Sequence, residues 1–430
     1  MELDRRLKDK SARIGVVGLG YVGLPLAVEF CRKGFHVDGY EISRARLARL
    51  KAGRSYVDDV SSDDLARFSK GGLFKAHGSF ASLAGCDAVF VCVQTPLRKT
   101  GEPNLGPITE AARLLRRHSK KGRLAVIEST VFPGVTQDWI LPILAEGGRR
   151  LGRDFFLAFS PERVDPGNKN YGIANTPKVV GGADAESTRL ACLAYAQILG
   201  DKVVPVSSSR AAEVVKLLEN SFRSVNIALV NEMALICHRL GLDVWEVLSA
   251  AATKPFGFMP FYPGPGIGGH CIPKDPKLLA WKMRTLNFEP RFIELASAIN
   301  GSMPAHVVER VAALLNKDKR PLNGSRVLIL GVAYKSGTSD YRESPSLDVM
   351  HLLLEAKARV IYHDPRVPSL RLDGRLLKSR PLTDALLRRA DCAAVLTAHR
   401  GIDYGRVARL ARRVFDARNA VPAGPRVEKL

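Results

Sequence analysis

Two short stretches far apart in the chain begin alike, and they constrain its fold more than any other feature. Residues 12–20 read ARIGVVGLG and residues 325–333 read SRVLILGVA. Each is an apolar, β-branched run ending in glycine, as expected of a parallel strand buried on both faces that enters a tight turn. Each is followed by a helical pattern and a second strand candidate, FHVDGYE at 35–41 and ARVIYHDP at 358–365. Strand, helix and strand in succession form a βαβ opening, and two such openings imply two doubly wound α/β domains. Further strand candidates are 86–93, 123–130, 155–161 and 202–207 in the first domain, and 391–398 and 413–417 in the last.

The sequence between these domains has a different texture. Residues 209–240 contain neither proline nor glycine, which predicts one helix roughly 45 Å long. It is apolar on most faces, so it is expected to be buried, as a spine between domains and across a dimer. Segment 255–276 is its opposite, PFGFMPFYPGPGIGGHCIPKDP, and a long Pro/Gly loop inside a folded chain is usually functional. The expected class is therefore α/β, with two Rossmann-like domains joined by a long central helix and a helical dimerisation region. The boundaries are drawn at 1–207, 208–318 and 319–430.

Composition narrows the setting. No apolar run reaches the length of a membrane span, and the N-terminus lacks the order of a signal peptide, so a cytoplasmic chain is expected. The seven cysteines are scattered and odd in number, which is not a disulfide framework. No Cys/His spacing resembles a metal site, and none is expected. The net charge of +22, from 65 basic and 43 acidic residues, would suit a polyanion. The excess forms no tail or block, so a solvated basic surface is the expectation, without nucleic-acid or membrane partners.

Five motifs carry chemistry. Gly18-Leu-Gly20-Tyr21-Val22-Gly23 has the dinucleotide spacing. Gly18 allows the turn, Gly20 lets backbone approach a pyrophosphate, and Gly23 lets the helix pack on the strand. Glu41 closes the next strand, where a carboxylate would bind a ribose 2′-OH and repel a 2′-phosphate. That favours NAD over NADP, a preference that Arg44 and Arg46 weaken slightly. On the long helix, Lys216, Asn220 and Arg223 lie at i, i+4 and i+7 and so share one face, where a cationic stripe needs an anionic or oxyanionic partner. In Gly268-Gly269-His270-Cys271-Ile-Pro-Lys274-Asp275-Pro276, Asp275 and Pro276 suit a helix start. Cys271 then sits just before a helix N-terminus beside His270 and Lys274, a setting that activates a thiol. The other six cysteines read as core, and His270 reads as structural. Ser160-Pro-Glu162-Arg163-Val164-Asp165-Pro166-Gly-Asn168, with Thr95 and Thr130 in two shorter fragments, falls at strand C-terminal ends, where α/β ligands bind. In the last domain Tyr334, Lys335, Arg342 and Arg418 suit a diphosphate. Its turn, GVAYKS, lacks the dinucleotide spacing.

In this order, GLGYVGLP, SPER, KLLEN, GGHCIPKDP and GVAYKSGTSDYRESP strongly resemble the nucleotide-sugar 6-dehydrogenase family, which includes UDP-glucose and GDP-mannose dehydrogenases. The resemblance spans 12–420. It implies an N-terminal NAD domain, a helical dimerisation spine and a C-terminal nucleotide-sugar domain, with a UDP-sugar substrate and a homodimer or higher homo-oligomer. It implies oxidation of the sugar's C6 from alcohol to acid with two NAD and one water. By the resemblance, Cys271 attacks the aldehyde, giving a thiohemiacetal and then a thioester. Lys216 and Asn220 stabilise oxygen charge at C6, and Asp275, Thr130 and Glu162 position and activate the hydrolytic water. Gly18, Gly20, Tyr21, Val22, Gly23, Glu41, Arg46, Thr95 and Thr130 map onto the NAD side. Glu162, Arg163, Val164, Lys216, Asn220, Arg223, Gly268, Tyr334, Lys335, Arg342 and Arg418 map onto the sugar-nucleotide side, and the resemblance implies that some of the UDP contacts among Tyr334, Lys335, Arg342 and Arg418 come from a partner subunit. The UDP-glucose branch carries a second glutamate where this chain has Pro166. ERVDPGN, Arg223 and KPFGFMPFYPGPG instead resemble the branch acting on N-acetylated hexosamines. Phe256 stands where UDP-N-acetylmannosamine enzymes tend to have arginine, so the resemblance points to the UDP-N-acetylglucosamine 6-dehydrogenases.

Overall fold

The computed structural model describes residues 2–98, 100–164, 170–269 and 271–430. Asp165, Pro166, Asn168 and His270, singled out above, lie outside the described residues. The chain forms two compact units. One comprises 1–219 with 281–287, the other 220–280 with 288–430.

The first unit is built on one eight-stranded sheet. Its strands are β1 (Arg13–Val17), β2 (His36–Tyr40), β3 (Phe74–His77), β4 (Ala88–Val91), β5 (Arg123–Ile127), β6 (Phe155–Phe159), β7 (Lys178–Gly182) and β8 (Val203–Pro205). The spatial order is β3-β2-β1-β4-β5-β6-β7-β8. Pairing is parallel except between β6 and β7, where Ala158 faces Gly182 and Phe159 faces Gly181. The order reverses between β1 and β4, which defines the switch point where ligands of such sheets bind. Strands β1 and β4 bury almost every side chain, which is why they read as continuous apolar runs. Helix Gly23–Arg32 covers them, with Phe30 packed on Phe90 at 4.9 Å between ring centroids.

The second unit contains a five-stranded parallel sheet. Its strands are β9 (Arg326–Leu330), β10 (Arg359–His363), β13 (Cys392–Val395), β14 (Val414–Asp416) and β15 (Val427–Lys429), in the order β10-β9-β13-β14-β15. Here the order reverses between β9 and β13. A separate hairpin of β11 (Ser369–Leu372) and β12 (Arg375–Lys378) packs Leu370 into the core of this unit. Its turn, Asp373-Gly374, has positive φ at both residues, the hairpin signature of that dipeptide. Helix Arg291–Asn316 runs through Pro304 without ending, and its Met303, Val307, Val311 and Leu315 join a core with Ile329, Met350 and Phe415.

The long helix spans Ser209–Leu240, as the absence of breakers predicts. Within one chain the helix buries residues such as Ala212, Leu217, Ala228, Val230 and Ala234, but not all of its apolar surface. Val214, Leu218, Phe222, Leu229, Ile236 and Leu240 are exposed. They recur at intervals of four and seven residues, so they form one apolar stripe that a single chain leaves uncovered. Among the described residues no helix is long and apolar enough to cross a membrane.

Candidate functional site

The first unit gathers the dinucleotide residues at the β1–β4 switch point. Gly18 has φ +92°, and a Cβ there would lie 2.6 Å from the Cys92 carbonyl oxygen. A Cβ at Gly23 would lie 1.9 Å from the Gly18 oxygen, so neither position admits a side chain. Gly20 differs, with nothing within 4 Å of a Cβ. Its backbone faces open space at the start of the helix, as close approach of a pyrophosphate requires. Gly20, Tyr21, Arg46, Arg49 and Tyr56 line a cavity of about 240 Å³. Val22 precedes the helix, and Tyr21 is exposed. Glu41 follows β2, buried, and accepts the Ser43 N–H at 2.8 Å. Arg46 lies 3.8 Å from its other oxygen and also over the Tyr56 ring. These residues fit a dinucleotide with an unmodified ribose. The expectation that Arg46 weakens that preference is tempered by geometry, since its charge is directed at Glu41 and Tyr56.

Thr95 and Thr130 follow the neighbouring strands β4 and β5. The structure brings them together, the Thr95 hydroxyl donating to the Thr130 carbonyl. After β6, one oxygen of Glu162 accepts the N–H groups of Arg163 at 2.8 Å and Val164 at 2.6 Å. Its other oxygen lies 3.3 Å from Lys178 Nζ. Burial works against the Glu162 charge. The Lys178 ammonium, the Val164 N–H and the Lys216 ammonium outweigh it and hold the carboxyl below the usual range. Arg163 is spent locally, 2.6 Å from Glu219 and donating to the Pro177 carbonyl at 2.8 Å. Lys216 is buried on the long helix.

Asn220, one turn further along that helix, is buried in the second unit. It donates to Asp275 Oδ2 at 2.6 Å. Asp275 is fully buried and opens helix Asp275–Arg284 itself, rather than standing before it as an N-cap. Cys271 lies four residues earlier, its carbonyl accepting the Asp275 N–H at 2.8 Å. Of the seven cysteines it is the exposed one. Burial pushes Cys86 up to about 11 and Cys31 and Cys392 up to about 12. Burial disfavours the thiolate in those three, and Cys271 is the thiol that stays open to solvent. Arg223 shares the helical face of Lys216 and Asn220 but is exposed.

The Cys271 loop is tied to residues of the last domain. Gly268 and Gly269 pass against Tyr334, where Cβ atoms would fall 2.9 Å and 3.1 Å from its side chain. Gly269 N–H donates to the Glu343 carbonyl at 3.2 Å. Arg418 donates through Nε to the Leu396 carbonyl at 2.8 Å, and its guanidinium lies against Gly264. Burial lowers the Arg418 guanidinium to about 10, against the opposing effect of Asp416. Arg342 is exposed and bidentate with Asp340, and Lys335 is half-buried.

Several buried polar residues were not visible as site residues in the sequence. Glu128, Lys178 and Tyr195 form a cluster beside Glu162. Glu213 accepts the Gly134 and Thr136 N–H groups at 2.6 and 2.9 Å and so anchors the segment after Thr130. Asn231 accepts the Gly264 N–H at 3.0 Å and donates to Asn300 at 2.8 Å, fixing the start of the Cys271 loop. A polar residue inside an apolar helical pattern was the available signal for Glu213, Asn231 and Asn300.

Comparison with known proteins accords with this geometry. Residues 12–199 match the NAD binding domain of the UDP-glucose/GDP-mannose dehydrogenase family, 210–302 its central domain and 328–423 its UDP binding domain. The chain is 36% identical over 359 residues to UDP-N-acetyl-D-glucosamine 6-dehydrogenase of Pseudomonas aeruginosa, covering 83% of this chain and 84% of the relative. It is 32% identical over 419 residues to UDP-N-acetyl-D-mannosamine dehydrogenase of Pyrococcus horikoshii, covering 96% and 97%. A solved structure of the UDP-D-ManNAc dehydrogenase from Pyrococcus horikoshii superposes with a TM-score of 0.88 at 31% identity, over 97% of this chain and 98% of that one. The chain belongs to the UDP-glucose/GDP-mannose dehydrogenase family, a family of nucleotide-sugar oxidoreductases, and its cofactor is NAD.

Proposed function

We propose that this chain oxidises C6 of a UDP-N-acetylhexosamine from alcohol to carboxylate. The substrate is UDP-N-acetyl-D-glucosamine and the product its uronic acid, made in the cytoplasm for surface polysaccharide. The observation that carries this reading is the exposed Cys271, placed one turn before a helix whose first residue, Asp275, is bonded to Asn220. The N-acetylglucosamine preference is supported by the Pseudomonas aeruginosa relative and by Phe256 in the KPFGF segment.

NAD, when bound, supplies the hydride acceptor for each of two oxidations, and Gly18, Gly20, Gly23 and Glu41 are the residues that would hold it. The chain's own groups do the rest. The Cys271 sulfur bonds to the C6 aldehyde carbon while the carbonyl electron pair moves to oxygen, giving a thiohemiacetal. Lys216 and Asn220 donate to that oxygen. Asp275 fixes the Asn220 amide. Oxidation of the thiohemiacetal gives a thioester, which water cleaves with Glu162 and Thr130 beside it. Tyr334, Lys335 and Arg418 are assigned to the UDP part, with Arg342 and Arg223. The three-part organisation at 1–207, 208–318 and 319–430 goes with this assignment. The exposed apolar stripe of the long helix supports a homodimer, which sedimentation would test.

UDP-N-acetyl-D-mannosamine is the second reading, supported by a relative and a structure that span nearly the whole chain. UDP-glucose is the third, since a UDP-glucose dehydrogenase from Pyrobaculum islandicum superposes with a TM-score of 0.85 at 29% identity. Parallel assays with UDP-GlcNAc, UDP-ManNAc, UDP-glucose and GDP-mannose decide among them. The expected result is the highest kcat/KM with UDP-GlcNAc and about two NADH per sugar. NADH from none of the four would sink the reading.

A further inference from the structure

One buried cluster is left unused by this chemistry. Lys178 begins β7 with its ammonium almost wholly enclosed. It lies 2.8 Å from Glu128 Oε2, 3.3 Å from Glu162 Oε2 and 5.3 Å from the centre of the Tyr195 ring. The Tyr195 hydroxyl donates to the remaining oxygen of Glu128. Tyr195, Glu128, Lys178 and Glu162 thus form a continuous chain through the interior of the first unit. We propose that Lys178, clamped by Glu128 and Tyr195, is a positioning residue that fixes Glu162 as an oriented anion for thioester hydrolysis.

Three observations lead there. A glutamate's terminal torsion is soft, yet here both oxygens are held, one by two successive backbone N–H groups and the other by Lys178. The cluster also has two carboxylates for one ammonium, so one negative charge is left over when both are ionised. Burial raises the Glu128 carboxyl, whereas Glu162 keeps 14% side-chain exposure and also feels Lys216. Of the two carboxylates, Glu162 is therefore the better supported anion. Finally, a carboxylate satisfied by three donors is a poor proton acceptor, so it serves to orient water rather than to deprotonate it. In the step it serves, the water oxygen bonds to C6 and the C6–S bond breaks, its electron pair going to sulfur. One water proton ends on sulfur and the other passes to solvent.

The inference rests on the function proposed above, and the test separates the two. Removing Lys178 alone would strand a buried carboxylate, so the variant is Glu128→Gln with Lys178→Met, alongside Lys178→Arg. The NADH burst and kcat are followed from pH 5 to 9, and the Glu162 carboxyl is titrated by ¹³C NMR without substrate, assigned through Glu162→Gln. In the double variant the burst should remain at about two NADH per site. The acid limb of kcat and the Glu162 midpoint should both move up by about 1–3 pH units, with KM for either substrate within about twofold. Lys178→Arg should restore most of the wild-type profile. An unmoved midpoint and pH profile in the folded double variant would overturn the proposal, as would a rise in both KM values with no change in profile. If the wild type makes no NADH from any UDP-sugar, only the functional reading falls, and the carboxyl titration still decides the role of Lys178.

Discussion

Strands β1 and β9 run into glycine turns of the same construction and opposite use. Gly18 N–H donates to the Tyr40 carbonyl and Gly331 N–H to the His363 carbonyl, both at 2.9 Å. In each case the neighbouring strand is followed at once by an acid, Glu41 in one unit and Asp364 in the other. There the likeness ends. Glu41 leaves the turn beside it open, and Gly20 has free space around it. Asp364 turns inward. One oxygen accepts the Val332 and Ala333 N–H groups at 2.7 and 3.0 Å, and the other accepts Arg366 and Val367 at 2.8 and 3.1 Å. His399 Nδ1 accepts the Gly337 N–H at 3.2 Å, which places the ring proton on Nε2, 3.0 Å from Asp364. The backbone donors that would greet a phosphate at this turn are thus filled by the chain's own carboxylate. One turn is a socket and the other is plugged, so a dinucleotide belongs to the first unit alone.

The comparison breaks most visibly at Asp364. Asp364→Ala strands at least four backbone N–H groups and a buried histidine, and should cost about 3–5 kcal/mol in denaturant unfolding. A loss under about 1 kcal/mol would mean the turn is not plugged. Alanine at the paired glycines should then separate fold from binding. In Gly331→Ala the Cβ falls 2.1 Å from the Thr397 oxygen at φ +83°, and about 2 kcal/mol or more of stability should go. In Gly20→Ala the Cβ meets nothing, so stability should hold within about 0.5 kcal/mol while calorimetry shows NAD binding at least about tenfold weaker.

Acid titration sharpens the same contrast. Burial opposes the Asp364 charge, but the His399 bond and the backbone N–H groups bring the carboxyl down to about 2, from 3.8. Its folded-state value is depressed, so its stabilisation is present above pH 4 and lost as pH falls towards 2. About 2 kcal/mol should disappear over that window and be absent from the acid profile of Asp364→Asn. The smallest effect is expected at Glu41. Glu41→Ala gives up one backbone hydrogen bond, about 1.5 kcal/mol or less, yet it should raise KM for NAD and narrow the preference over NADP.

Much of this was legible in the residues. The 209–240 helix was bounded correctly because no glycine or proline interrupts it, and the βαβ openings because buried parallel strands leave continuous apolar runs. Strand β7 escaped, since a five-residue KVVGG ending in two glycines reads as a turn. The β11–β12 hairpin was missed although Asp373-Gly374 announces it. The opposite roles of Glu41 and Asp364 could not be read at all. Both are acids after a second strand, and only the side-chain direction, set by His399 and the 366–367 backbone, tells them apart. Lys178 escaped for the same reason, its partners lying 16 and 50 residues away in sequence. The helix was read as buried between domains and across a dimer, and one chain covers only part of it, because a pattern records what wants covering, not what covers it.

Calorimetric titration of the full chain with NAD tests the central contrast most directly. The account predicts one NAD per chain, binding that is lost or at least about tenfold weaker in Gly20→Ala. A second NAD per chain, or undiminished binding in Gly20→Ala, would contradict it.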